Sequence, residues 1–84
     1  MKIINLITDK GLEYFQELIP NPPPILAKGT RILVQTHDQQ EHLGIFILFE
    51  NTKQSFKLQA IEANIIIDIP SEKISNIYQS LNIN

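Results

Sequence analysis

Cysteine is absent from the 84 residues, so neither a disulfide nor a thiolate metal site can staple the fold. Apolar burial has to supply the stability instead. Only three glycines occur, too few for a loop that cradles phosphates. Positive charge is scarce as well: the formal net charge is −2, and that balance disfavours a polyanion such as RNA as a partner. Long hydrophobic runs are missing. The longest, "GIFILF" and "NIIIDI", fall far short of the roughly 20 residues that a membrane helix needs. The opening "MKIINLITDKG" has one lysine and a broken apolar run, which makes a poor signal peptide. A cytoplasmic protein with no membrane partner is the expectation.

What is present is ordinary for a small globular chain. Hydrophobic residues make up 43% and charged residues 19%, too apolar for disorder. The length allows one domain, residues 1–84, with a small core.

Helical spacing of Leu12, Phe15, Leu18 and Ile19, with Thr8 or Asp9 as cap, predicts a helix over 9–19 that Pro20 ends. Gly11 weakens that helix by about 1 kcal/mol. "KIINLI" before it suits a strand or an extra helical turn equally. Residues 20–27, with "PNPPPI", read as a stiff spacer rather than a polyproline ligand, since no arginine flanks the prolines to orient one.

From Lys28 the period becomes two. "TRILVQT" places Ile32 and Val34 on one face and Arg31, Leu33 and Gln35 on the other. "LGIFILF" (43–49) is apolar on both faces, as in a strand that bends through a closed barrel. "SFKLQA" alternates with Phe56, Leu58 and Ala60 inward, and "IIIDI" (65–69) ends at Pro70. Polar turns separate these segments. "PSEKISNIYQSL" fits either a helix capped by Ser71 or a single 3₁₀ turn followed by a fifth strand. The expected fold is thus mainly β within an α+β class: an N-terminal helix, then a small SH3-like barrel of four or five antiparallel strands over 28–79.

Within "HLGIFILFENTKQSF", Gly44, Phe46, Phe49, Glu50 and Gln54 follow the spacing of the first motif of the Sm-like (LSm/Hfq-type) family, with glutamine in place of its asparagine. The chain resembles that family over about residues 9–79. The second motif, Arg-Gly or Lys-His after the fourth strand, is not matched, because Pro70 and Ser71 stand there. The resemblance implies a uridine pocket for single-stranded RNA at Phe49, Glu50, Asn51, Lys53 and Gln54. It also implies a ring in which the fourth strand of one copy pairs with the fifth strand of the next. Here that edge would carry Ile65, Ile66 and Ile67 against Ile77 and Tyr78.

Other constellations point to plain structure. His37, Asp38, Glu41 and His42 lie within six residues, but a polar hairpin turn explains them better than a metal site does. The serines at 55, 71, 75 and 80 lack a nucleophile-elbow context, and no cofactor is implied. Lys28, Arg31, Lys53 and Lys57 are the cations available for a local positive face. The reading is a non-enzymatic interaction module that self-associates as a homo-oligomer or docks on a protein partner, with an Sm-like RNA binder as the alternative.

Overall fold

The computed structural model describes residues 2–81. Within them the chain forms seven antiparallel strands: β1 (Ile3–Thr8), β2 (Gly11–Leu18), β3 (Arg31–Thr36), β4 (Glu41–Glu50), β5 (Ser55–Ala60), β6 (Ile66–Pro70) and β7 (Ile74–Ser80). A 3₁₀ turn at Ser71–Lys73 separates the last two. All seven lie in one open sheet of order β1-β2-β7-β3-β4-β5-β6.

Two expectations are corrected. The α+β class fails because no α-helix is present among the described residues, and residues 9–19 are a turn and strand β2. The closed barrel fails because β1 and β6 remain as free edges. Of the two readings of the tail, the 3₁₀ turn and strand is the one found.

The missed hairpin has a local cause. Asp9 and Lys10 form the turn and Gly11 sits at φ +87°, the left-handed residue that a turn-plus-bulge hairpin requires. In β2 the residues facing the interior of the fold are Glu13, Phe15 and, less deeply, Glu17, whereas Leu12 and Tyr14 face water. A charged residue on the buried face and apolar residues on the wet face disguise the period of two.

The sheet buries apolar side chains on both of its faces. On one face Ile32, Val34, Phe46, Phe56, Leu58, Ile69, Ile74 and Ile77 form the larger core. On the other Phe15, Leu33 and Tyr78 pack together with Ile4, Leu6 and Leu43. Alternate residues of β3 and β7 enter opposite cores, which is why both strands are central and apolar on both sides. The β1–β2 hairpin supplies much of the second core, so it is an integral part of the fold.

Strand β4 feeds the larger core twice through a bulge. The register with β5 shifts between Phe46 and Leu48, so Phe46 and Phe49 both turn to the same side as Phe56. The two rings meet Phe56 edge-on, at centroid distances of 6.2 and 4.8 Å. Gly44 has no room for a side chain: a Cβ there would lie 2.5 Å from Leu58 Cδ1 and 2.6 Å from the Gln59 carbonyl oxygen. Glycine therefore lets β4 approach β5 this closely. Residues 19–30 contain no helix or strand and carry the chain from β2 past β7 to β3.

Candidate functional site

The residues expected to form a base pocket are partly committed to the fold. Phe49 packs against Phe56 and is half-buried. Glu50 is approached by two cations, Lys57 Nζ at 3.7 Å and Lys53 Nζ at 3.9 Å. Gln54 adopts φ +51°, and its side-chain amide donates to the Asn51 carbonyl at 2.8 Å, which closes the β4–β5 turn. A cleft of about 480 Å³ does gather Phe46, Phe49, Asn51 and Gln54 with Lys28 and Pro23. Glu50 and Lys53 are not among its lining residues. The spacer contributes Pro23 and Pro24 to this cleft and Leu26 to the larger core.

Arg31 is no surface cation. Its Nε donates to Glu13 Oε2 at 2.7 Å, and a second nitrogen reaches Asp9. Glu13, fully excluded from water, also accepts from Thr8 Oγ1 at 2.7 Å and Ser80 Oγ at 2.6 Å. Burial alone would raise the Glu13 carboxyl, but the hydrogen bonds from Arg31, Ser80 and Thr8 outweigh it and hold the group below the usual carboxylate range. Burial likewise opposes the charge on Arg31, and the bonds to Glu13 and Asp9 more than restore it. This network ties β1, β2, β7 and β3 together at one end of the sheet.

At the turn between β3 and β4, His37, Asp38 and His42 line one cleft and Glu41 another. Asp38 bonds Thr36, and Glu41 accepts from Gln35 Nε2 at 2.8 Å. Among the described residues no three His, Cys, Asp or Glu side chains converge as a metal site would require.

The expected ring edge is divided by the topology. Ile65 and Ile66 are exposed, at 55% and 64%, and Ile67 packs on the larger core. Ile77 and Tyr78, by contrast, are buried, because β7 lies between β2 and β3 with both of its edges paired. A fourth-to-fifth-strand contact between copies has no free partner on β7, since β2 occupies the place that a neighbouring subunit would take.

A strip of exposed apolar residues lies partly where the sequence predicts a helix. On the outer face of the β1–β2 hairpin, Ile7 stands opposite Leu12, Asn5 opposite Tyr14, and Ile3 opposite Gln16. Ile7 is 76% exposed and Leu12 51%, with Ile3 and Tyr14 close to half exposed. Leu81 joins them, its backbone N–H donating to the Tyr14 carbonyl at 2.8 Å. An unpaired strand edge beside exposed apolar side chains is the surface feature that sheet proteins ordinarily avoid. The "TDKG" turn, flanked by "IINLIT" and "LEYF", was the signal that could have located it.

No helix of the described residues is long and apolar enough to cross a membrane. Comparison with known proteins gives no relative from which a role could be borrowed: no family model, no curated protein and no solved structure matches this chain.

Proposed function

We propose that this chain is a non-enzymatic interaction module of the cytoplasm that associates through its β1–β2 hairpin. The observation that carries the reading is the coincidence of an unpaired strand edge with the apolar strip of Ile3, Ile7, Leu12 and Tyr14 beside it. The network around Glu13 holds that hairpin rigidly against β7 and β3, so the strip is presented on a fixed frame. A photo-reactive benzoylphenylalanine at Leu12 tests the reading in living cells. Covalent protein adducts are expected from position 12 and none from the same residue placed at Glu72, on the exposed 3₁₀ turn. Equal yields at the two positions, or no adducts at all, would overturn it.

A second reading, single-stranded RNA bound in the cleft, rests on the convergence of Lys28, Phe49, Asn51 and Gln54. Its support is thinner. The Phe49 ring meets Phe56 edge-on, and the Gln54 amide is occupied by its own turn.

A further inference from the structure

The partner of the hairpin can be named from its hydrogen-bonding groups. Glu17 N–H donates to the Lys2 carbonyl at 2.8 Å, so residues 2 and 17 are a directly hydrogen-bonded pair. Bonded pairs alternate along an antiparallel ladder, which assigns 4 with 15 and 6 with 13 to the same set. The backbone groups of Ile3, Asn5 and Ile7 therefore point away from β2, along the free edge.

We infer that a second copy of this chain pairs there, β1 against β1 antiparallel about a two-fold axis at Asn5. This rests on the proposed role of the hairpin and specifies its occupant. In that register Asn5 faces Asn5 of the second copy, and each Ile3 faces the other chain's Ile7. Three residue pairs then exchange both bonds, six in all, the most that this edge can make. The isoleucines meet in pairs on the outer face and extend the strip with Leu12 and Tyr14 across both chains. Lys2 of each copy falls opposite Thr8 of the other, one residue from Asp9, whose carboxylate is 45% exposed beside its ion pair with Arg31. No charged residue, proline or glycine interrupts "IINLIT" itself.

The other edge offers no such symmetry. Ala60 N–H donates to the Ile65 carbonyl at 2.9 Å, so the outward groups of β6 are those of Ile66, Asp68 and Pro70. Pro70 has no N–H, and a two-fold at Asp68 would set two carboxylates face to face. A β1-to-β6 contact would leave free edges at both ends and grow without closing. The β1 two-fold closes the pair.

One strand edge buries less than the roughly 800 Å² per partner of a standard interface, so the dimer is concentration-dependent. Sedimentation at about 100 μM chain is expected to give twice the 9.6 kDa chain mass. Asn5→Pro removes an outward N–H that makes no bond within the chain. It should restore the single-chain mass while the circular dichroism spectrum stays that of the folded protein. Because the chain has no cysteine, Asn5→Cys should form a disulfide-linked dimer on mild oxidation. Directly opposed Cα atoms in a bonded pair lie about 5.5 Å apart, within disulfide reach. Ile66→Cys on the other edge should link slowly or not at all. A single-chain mass at that concentration, open-ended polymers, or equal linking by both cysteine variants would overturn the pairing. If the mass is that of one chain but position 12 still yields adducts to a different protein, the docking role stands and only self-pairing falls. If neither is seen, both fall.

Discussion

The two edges of the sheet, β1 and β6, are built to opposite rules. β6 ends in a proline that offers no donor and carries Asp68 in an ion pair with Lys57 at 3.1 Å. Those are the devices by which sheet proteins discourage edge-to-edge pairing. β1 has none of them, and the outer side chains of the hairpin beside it are apolar. Isoleucine content alone would favour the opposite assignment, since "NIIIDI" carries four isoleucines and "IINLIT" three. An edge is opened or closed by which backbone groups face outward and by what interrupts them, and isoleucine content is a poor guide to either.

The two edges also depend on different supports, which gives ways to separate them. The largest effect is expected from Arg31→Met, which leaves Glu13 buried without its cation. Breaking a buried pair from one side costs about 3–5 kcal/mol, so the urea midpoint should fall steeply. Amide exchange should accelerate in β1 and β2 before it does in β5 and β6. Gly44→Ala strikes the other half. Its added methyl meets Leu58 and the Gln59 backbone, and overpacking of that kind costs about 1–3 kcal/mol. Early exchange should then shift to β4 and β5.

Acid gives the mildest perturbation and has a definite sign. The folded Glu13 carboxyl titrates below its unfolded value of about 4.3. Its contribution is therefore complete above that value and is lost as pH falls through the lowered folded one. Urea midpoints should be level from pH 7 to about pH 5 and decline below about pH 4, with the hairpin amides losing protection first. A decline that begins in β5 and β6 would show that the Glu13 network is not what holds the β1 edge.

Much of the second half of the chain was legible as sequence. The alternation of Ile32 and Val34 against Leu33, the turns and the inward Phe56 and Leu58 all correspond to observed strands and faces. The first half was not. Its period is inverted by Glu13, which is buried because Arg31, 18 positions later, crosses to meet it. A carboxylate in a core is legible only when its partner is known, and spacing along one segment cannot supply a contact made between two. The expected ring edge was misplaced for a related reason. Nothing local to Ile77 and Tyr78 says that β2 will lie beside them. The pocket residues were half legible: Phe49, Asn51 and Gln54 do share a cleft, yet only the β4 bulge and the turn geometry reveal how far they already serve the fold.

The position of β7 has a consequence in time. Phe15 pairs with Ser80 and Ile32 with Gln79, so the last described strand bridges two that were made long before it. Until β7 arrives, the hairpin and the β3–β6 meander have no ladder between them, and neither face of the sheet can finish its core. Closing such distant partners carries an entropic cost that slows folding. During synthesis the β1 edge therefore emerges before β7, the strand that joins its hairpin to the rest of the sheet.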